Sequence, residues 1–308
     1  MTDRLTTTPI CLFIYNRPDT TERVFEQIRK AKPPKLYVYA DGPQPGDSDD
    51  EVRCNETRDI ITVDWECEVD QQYAASNLGL KQRWVSGLEH LFTNEERAII
   101  LEDDIVASQT FFKFCDELLD RYENDERVWD INGTNYLQTW KADRQDYHFT
   151  YHGSNWGWAT WRRCWEEYDP EMNRWGDPEI RDRVRDVMAD PAMYEYARTV
   201  YNRTYNGSIE TWDYPWGLAR HINSGLSIVP AKNLVSNIGF RSDATNTSNV
   251  DSHSANIPRY KLDFPLDSPG HFVVDRDYDR QWFRQRKAWW ERQPYVRKFI
   301  NNIIDLMQ

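Results

Sequence analysis

The 308-residue sequence predicts an α/β protein with a central mixed, mostly parallel sheet and helices on both faces. Three short apolar runs, at residues 9–15, 36–40 and 98–101, have the length and composition of buried strands. An amphipathic stretch at residues 19–31 separates the first two runs and predicts a helix. This strand–helix–strand order requires a crossover connection, which places the two strands parallel in one sheet.

Helical and extended patterns continue to alternate along the first half of the chain. Residues 43–58 are polar and acidic, which predicts a loop. Apolar residues at helical spacing predict a helix over residues 80–91, and Ser108 is placed to cap the next helix. A further strand is expected at residues 128–132. The alternation supports the same fold class.

The second half of the chain differs in composition and in hydrophobic periodicity. From about residue 135 it is rich in Trp, Tyr, Asn and Gly, and regular periods are fewer. From about residue 275 it becomes rich in Arg, interspersed with Trp, Phe and Ile, which predicts a helical tail. We expect this tail to pack on the body or to form a homodimer. Contact with an anionic membrane surface is the alternative.

The composition limits the classes of partner. The chain has 38 basic and 51 acidic residues, and its net charge of −13 is the opposite of what a free-standing nucleic-acid binder carries. An anionic substrate would therefore need a local basic or metal-bearing site. Aromatic residues make up 14% of the chain, and rings in excess of what a core needs often line sugar or base sites.

The cysteines and the hydropathy pattern bear on the compartment. The five cysteines are widely spaced and form no Cys-x-x-Cys pair, which favours reduced thiols over zinc or redox motifs. Residues 1–15 lack a signal-peptide core, and no apolar run has the length of a membrane span. We therefore expect a cytoplasmic protein, with peripheral contact at the inner membrane surface as the alternative.

The clearest chemical signal is the Glu-Asp-Asp cluster at residues 102–104, directly after a buried strand. Arg17 and Asp41 also follow predicted strands. Open α/β sheets bind ligands at the carboxyl ends of their strands, so these side chains should converge on one sheet edge. Carboxylates are preferred ligands of hard divalent cations, and an Arg or Asp at such an edge can bind a phosphate or a base. A solvated acidic loop is the alternative interpretation of the cluster.

Seven segments carry a resemblance in the same order along the chain. They are Pro9-Ile-Cys-Leu-Phe-Ile-Tyr-Asn-Arg-Pro, Tyr39-Ala-Asp-Gly, Asn77-Leu-Gly-Leu-Lys-Gln-Arg-Trp, Ile100-Leu-Glu-Asp-Asp-Ile, Phe111-Phe112, Gly153-Ser-Asn-Trp-Gly-Trp-Ala-Thr-Trp and Glu210-Thr-Trp-Asp-Tyr-Pro-Trp. The ordered set resembles a glycosyltransferase of the GT-A fold, bacterial family 2-like. It is also similar to the N-acetylglucosaminyltransferases of the N-glycan branching type. The resemblance spans roughly residues 9–240.

The resemblance implies a function and a domain plan. The activity would be transfer of a hexose or N-acetylhexosamine from a nucleotide-diphosphate donor, foremost a UDP-sugar, to a hydroxyl of a glycan acceptor. The reaction would depend on Mn²⁺ or Mg²⁺, would invert the anomeric centre and would serve polysaccharide biosynthesis. Residues 1–250 would form the catalytic domain, with a nucleotide-binding half at about 1–134 and an acceptor half at about 135–250. Residues 251–308 would form a helical extension.

The resemblance also implies roles for single residues. Arg17 and Asp41 would hold the nucleotide, Lys81 would reach the donor, and Asp103 would face the ribose or sugar. Trp156 would offer a platform for a sugar ring, with packing in the core as the alternative. The segment at residues 235–240, together with Arg241, would form a flexible lid over the donor.

The resemblance assigns metal binding to the Glu-Asp-Asp cluster, which occupies the position of the Asp-x-Asp motif that is common in relatives. The resemblance implies that Asp104 ligates the metal directly. Glu102 is the second candidate ligand, and the different spelling of the motif leaves its role open.

An inverting transfer needs a carboxylate that takes a proton from the acceptor hydroxyl. Asp213 is the first candidate because its neighbours Trp212 and Tyr214 would desolvate it and stack the acceptor. Glu210 is the rival, because relatives have Trp-Asp-Asp-Trp where this chain has Trp-Asp-Tyr-Pro-Trp. A further alternative is that Asp213 caps the helix that follows it.

Three other functions compete with glycosyl transfer. A sugar nucleotidyltransferase would use a similar sheet, but its glycine-rich loop is absent from the turn at residues 16–19. A non-catalytic nucleotide-sugar or glycan-binding protein would bind the donor without turnover. A glycoside hydrolase would need two carboxylates that flank a cleft.

Overall fold

The computed structural model describes residues 4–240 and 255–292, with side chains through residue 287. Within these ranges the strands are Ile10–Ile14 (β1), Lys35–Ala40 (β2), Glu68–Tyr73 (β3), Arg97–Glu102 (β4), Ile105–Ala107 (β5), Val128–Asn132 (β6), Tyr147–Thr150 (β7), Trp158–Trp161 (β8), Leu226–Pro230 (β9) and Val235–Asn237 (β10). The α-helices are Pro18–Ala31 (α1), Ser48–Asp59 (α2), Leu80–Asn94 (α3), Gln109–Arg121 (α4), Arg162–Trp165 (α5), Pro178–Val187 (α6), Pro191–Tyr205 (α7), Asp213–Ile222 (α8) and Arg276–Arg292 (α9).

The sheet confirms the predicted fold class. Eight strands pair in the order β3-β2-β1-β4-β8-β6-β9-β7. Strands β3, β2, β1, β4, β6 and β9 run in one direction, whereas β8 and β7 run against them. Helices flank this sheet in separate groups, since α1 contacts α2 and α4 while α3 contacts α5. A two-stranded ribbon of β5 and β10 lies apart from the main sheet.

Most elements of the first half lie where the sequence predicted them. Helix α1 starts at Pro18, one residue earlier than expected, because proline at the first helical position needs no N–H partner. Helix α4 starts after Ser108 as predicted, but the Ser108 side chain makes no capping hydrogen bond to the helix backbone. The predicted strands at β1, β2, β4 and β6 and the predicted helix α3 are confirmed.

The prediction of a loop at residues 43–58 is wrong, because residues 48–59 form α2. The helix has almost no apolar face, so hydrophobic spacing did not reveal it. Its start is fixed by the Asp47 side chain, which accepts hydrogen bonds from the backbone N–H groups of Asp49 and Asp50. Strand β3 was missed for a related reason, since this edge strand is polar and largely exposed.

Apolar packing falls into two clusters. The larger one surrounds the sheet and includes β1, β2 and β4. The smaller one joins α6, α7 and α8 to the start of α9, where Tyr278, Trp282 and Phe283 are buried. The tail is therefore helical through residue 292 and packs on the body, as expected, while residues 293–308 lie outside the described part. No described helix has both the length and the apolar character needed to cross a bilayer.

Candidate functional site

A cavity of about 850 Å³ opens at the carboxyl ends of the parallel strands. Residues that follow β1, β2 and β4 line one end of it, including Arg17, Asp41 and the Glu-Asp-Asp cluster. The predicted convergence of these three strand ends is therefore confirmed. A second set of lining residues belongs to α7, to α8 beyond Asp213 and to α9. We call the first the strand end of the cavity and the second the helix end.

The acidic cluster is tied to the first strand by two contacts. The carboxylate of Asp103 accepts a hydrogen bond of 3.0 Å from the backbone N–H of Tyr15. The guanidinium of Arg17 lies 2.9 Å from the Asp104 carboxylate. Asp103 and Asp104 are both only 7% exposed. The cluster is thus a buried part of the cavity wall, which argues against a solvated acidic loop.

These carboxylates repel one another inside the protein. Burial raises the pKa of Glu102 well above its usual range, and the charges of Asp104 and Asp103 raise it further. Burial and the Asp104 charge raise the pKa of Asp103 to about 7. Burial also raises the pKa of Asp104, although the ion pair with Arg17 opposes that rise. A cation in this region would relieve the repulsion and hold the carboxylates ionised.

The cluster fits a divalent cation that takes some of its ligands from the protein and the rest from a substrate. The buried Oδ1 atom of Asp104 has no hydrogen-bond partner within the protein, which leaves it able to ligate. In the described part of the chain, no three His, Cys, Asp or Glu side chains form a ligand set by themselves. Mg²⁺ is typically bound by one or two carboxylates together with substrate phosphates, so a complete protein cage is not required. Asp104 and Glu102 would hold such an ion.

The ribbon of β5 and β10 closes one side of the acidic cluster. The backbone N–H of Ile238 donates to the Asp104 carbonyl oxygen at 2.9 Å. A Cβ atom on Gly239 would overlap the Asp104 carboxylate, so only glycine allows this close approach. Residues 235–237 form a buried strand whose last residue, Asn237, lines the cavity, while Arg241 lies outside the described residues. The lid therefore stays a prediction.

Asp41 lines the cavity and organises the loop that faces it. Its Oδ1 atom accepts hydrogen bonds of 2.8 Å from the backbone N–H groups of Gly42 and Leu78. Its Oδ2 atom accepts a third from the N–H of Gly79 at 3.1 Å. Each carboxylate oxygen has more than one lone pair, so these bonds fix the carboxylate and still allow it to accept from a ligand.

The structure separates two basic residues of α3. Lys81 does not line the cavity, and its amine lies 2.9 Å from the Glu171 carboxylate. Arg83 lines the cavity, is only 8% exposed and places its guanidinium 5.3 Å from the centre of the Tyr39 ring. The Nε atom of Arg83 is buried without a hydrogen-bond partner. Sequence reasoning missed Arg83, although a charged residue on the inward face of an amphipathic helix was the available signal.

An aromatic column fixes the position of Asp213. The Trp84 ring stacks on Phe13 at 3.9 Å and on Trp212 at 4.1 Å between ring centres. Since Trp212 directly precedes α8, this stack holds the first residue of that helix at the cavity. The Asp213 carboxylate accepts hydrogen bonds from the Thr211 hydroxyl at 2.5 Å and from the Tyr214 backbone N–H at 2.9 Å.

Both candidate bases line the cavity, but their environments differ. Burial raises the pKa of Asp213, and the Asp213 charge in turn contributes to the raised pKa of Glu102. The two carboxyl groups are therefore close enough to interact. Glu210 is exposed to solvent. The cap position of α8 is occupied by Trp212, so Asp213 is the first helical residue and not the capping residue.

Two of the three tryptophans at residues 153–161, Trp156 and Trp158, have different places. Trp158 is 1% exposed and belongs to the core. Trp156 lines the cavity, with its ring 5.5 Å from Tyr136 and 5.7 Å from Phe240. The structure thus places Trp156, but not Trp158, where it can contact a ligand.

Comparisons with known proteins give no assignment. No protein-family model matches the chain, and no curated protein matches it. Among solved structures, a mannosyltransferase from Pyrobaculum calidifontis in complex with GDP-Man and Mn²⁺ is 12% identical, with a TM-score of 0.33, over 54% of this chain and 48% of that chain. This chain thus spans about half of its length. A UDP-glucose pyrophosphorylase in complex with UDP-glucose is 8% identical, with a TM-score of 0.36, over 74% of this chain and 92% of that chain. At TM-scores this low, neither similarity bears on what this protein binds.

Proposed function

We propose that this protein is a metal-dependent glycosyltransferase of the GT-A type. It moves a hexose or N-acetylhexosamine from a nucleotide-diphosphate donor, foremost a UDP-sugar, to a hydroxyl of a glycan acceptor. The observation that carries the proposal is the meeting of a buried acidic cluster with Asp213 in one cavity at the carboxyl edge of the sheet. The polysaccharide-building role in the cytoplasm belongs to the same proposal. All five cysteines are free, as in a reducing compartment.

The strand end of the cavity supports binding of the nucleotide. Asp41 offers a fixed hydrogen-bond acceptor, and the nearby Arg83 guanidinium offers donors, so the pair complements a base that has an N–H group beside a carbonyl. A buried guanidinium without a protein hydrogen bond gains most from a ligand that accepts from it. Uracil, thymine and guanine have this arrangement of groups, and the resemblance makes a UDP-sugar the first donor to test among them.

The negative charge of the diphosphate would be neutralised by a cation bound at the acidic cluster, together with Arg17. A divalent cation held by Asp104 and Glu102 would supply neutralisation of the leaving diphosphate. Arg17, already at the cluster, can bind phosphate oxygens directly. Asp103, which Tyr15 holds in place, faces the same region and would contact the ribose or the sugar. Trp156 would stack on the transferred sugar or on the acceptor.

Asp213 would act as the general base in a single inverting displacement. The acceptor oxygen forms a bond to the anomeric carbon while the bond from that carbon to the diphosphate breaks. The electron pair leaves with the nucleoside diphosphate, and the proton of the acceptor hydroxyl passes to Asp213. A carboxylate whose pKa is raised by burial is a stronger proton acceptor than an exposed one, which favours Asp213 over Glu210.

A thermal-shift panel tests the proposal without knowledge of the acceptor. The full chain would be melted with UDP-, GDP-, CMP- and dTDP-sugars, each with and without Mn²⁺. A ligand that binds the native state raises the melting temperature by mass action, so one nucleotide class should raise it in a metal-dependent way. No shift with any of these sugars would contradict the proposal. Release of pyrophosphate from a nucleoside triphosphate and a sugar phosphate would instead show a nucleotidyltransferase.

A further inference from the structure

The two ends of the cavity differ in charge. Four carboxylates and two arginines line the strand end, whereas Arg220 of α8, Arg286 of α9 and His152 of the β7–β8 connection line the helix end, with Asp213 beside them. In a protein with a net charge of −13, a cavity end built around two arginines needs an explanation. Neither Asp130 nor Asp279, the buried carboxylates nearby, lines the cavity.

The helix end is organised around the ring of Trp282. The His152 ring stacks on it at 4.8 Å between ring centres. The Arg286 guanidinium lies 5.4 Å from the same ring and also forms a hydrogen bond with the Tyr196 side chain. A guanidinium has five N–H donors, so Arg286 can bind Tyr196 and an oxyanion at the same time. The site therefore combines an aromatic surface with charged donors.

Two buried polar atoms at this end have no hydrogen-bond partner within the protein, the Nε2 atom of His152 and the Nε atom of Arg220. Arg220 is 6% exposed, and its Nη1 atom lies 2.6 Å from the Asp130 carboxylate. The Arg220 Nε–H is a donor, and buried donors are normally paired, so this atom points to a ligand that accepts hydrogen bonds. The His152 Nε2 atom can donate to such a ligand in one of its two neutral tautomers. Burial and the neighbouring cations lower the pKa of His152, which favours the neutral imidazole.

The helix end is also close to the proposed catalytic base. Burial raises the pKa of Asp213, and the charge of Arg286 opposes that rise, which shows that the two groups interact. A group bound at Arg286 would thus lie near the reacting hydroxyl at Asp213. Tyr214, the residue next to Asp213, also interacts electrostatically with Arg286.

We propose that the helix end binds an anionic substituent of the acceptor, a carboxylate or a phosphate on the acceptor sugar, with Arg286 as its main charged contact. That the ligand is an acceptor sugar rests on the proposed function, whereas the presence of an anion site does not. The oxyanion of the ligand would take the guanidinium donors, which match carboxylate and phosphate geometry.

The test is a binding titration of the full chain by saturation-transfer NMR, in the absence of nucleotide and metal. The probes are methyl glucuronide, glucose 6-phosphate and the neutral methyl glucoside. Wild type should bind at least one charged probe about tenfold more tightly than the neutral one, the contribution expected of one charge-assisted contact. Arg286→Gln should lose this preference, and Arg286→Lys should keep part of it. Arg284→Gln changes an exposed arginine of the same helix and should bind like wild type.

The choice of probes distinguishes a carboxylate from a phosphate as the bound anion, and it tests this inference separately from the proposed function. Preference for the glucuronide assigns a carboxylate, and preference for the sugar phosphate assigns a phosphate. Equal affinity for all probes, an unchanged preference in Arg286→Gln, or no binding of either charged probe would overturn the inference. If the anion preference holds while no nucleotide with Mn²⁺ binds, the anion site stands and the glycosyltransferase proposal fails.

Discussion

The strand end and the helix end of the cavity are built on different physical plans. The strand end collects short loops that follow parallel strands, so residues distant in sequence converge because the sheet aligns them. The helix end has no such frame. It is assembled from α7, α8 and α9 by apolar packing around residues such as Tyr278 and Trp282. The first plan concentrates carboxylates at a backbone edge, whereas the second surrounds arginines with aromatic rings.

This difference assigns a different task to each end. A rigid edge of loops and carboxylates suits the common part of many donors, a nucleotide with its diphosphate and metal. Packed helices can vary without disturbing the sheet, so they suit the part of the reaction that differs between enzymes. Asp213, at the start of α8, interacts electrostatically with Glu102 of the strand end and with Arg286 of the helix end. Substitutions on each side should therefore have separable effects.

The largest effect is expected from Asp213→Asn, which removes the proposed base. The rate of sugar transfer to water or acceptor should fall about 10²–10⁴-fold, the contribution typical of general-base catalysis. Affinity for the nucleotide should stay within about twofold, because the strand end is intact. Initial rates and a nucleotide titration on the same preparation measure both. Glu210→Gln is the matched comparison, and a larger loss of rate there than in Asp213→Asn would move the base to Glu210.

The next effect concerns the stability of the helix end. Asp279 of α9 is fully buried beneath the helix and accepts a hydrogen bond from Thr150. Burial raises the pKa of Asp279 to about 7, against about 3.9 in an unfolded chain. Between these values the folded state binds more protons, so its free energy of unfolding falls as pH rises. The loss from this group is on the order of 4 kcal/mol at most.

Asp279→Asn should remove that dependence. Urea unfolding at about pH 5 and about pH 7.5 should show wild type losing stability relative to this variant at the higher pH. Asp277→Asn changes an exposed carboxylate of the same helix and should follow wild type. A wild-type curve and an Asp279→Asn curve that remain parallel across this range would show that Asp279 is ionised in the fold throughout.

The smallest effect should distinguish two basic residues of α3, of which only Arg83 lines the strand end. Arg83→Gln should weaken nucleotide binding about tenfold or more, because a hydrogen bond to a buried charged group contributes ~1.5–3 kcal/mol. Lys81→Ala should change it by less than about twofold, since its amine pairs with Glu171 away from the cavity. Calorimetric titration of UDP with Mn²⁺ measures both. A larger loss of nucleotide affinity in Lys81→Ala than in Arg83→Gln would support Lys81 as the donor contact that the resemblance implied.

The same contrast explains how much of the site could be predicted from the sequence. The strand end could be predicted because Arg17, Asp41 and Asp104 each lie within three residues of the end of an apolar run, and the ends of parallel strands converge by topology alone. Arg83 was missed because an arginine inside an amphipathic helix looks like a solvated side chain. Its position on the inward face of the helix was the one signal in the sequence, and its burial at the cavity shows that the side chain is not solvated.

The helix end could not be predicted, because nothing local marks it. Helix α9 has the pattern of a basic amphipathic tail, and its partners on α7 and α8 lie more than fifty residues earlier. That Arg286 faces the same cavity as Asp213 follows only from how the helices pack. Polar helix α2 was missed for another reason, since a cap at Asp47 and not an apolar face defines it.

The most direct test of the central claim is a titration of Mn²⁺ followed by electron paramagnetic resonance, on wild type and Asp104→Asn, with and without UDP. We expect wild type to bind Mn²⁺ tightly only when UDP is present, because the protein supplies one or two carboxylates and the diphosphate completes the site. Asp104→Asn should lose this binding, whereas Asp143→Asn, at an exposed loop position, should retain it. Binding of Mn²⁺ with UDP that is unchanged in Asp104→Asn, or no binding in wild type, would contradict the account.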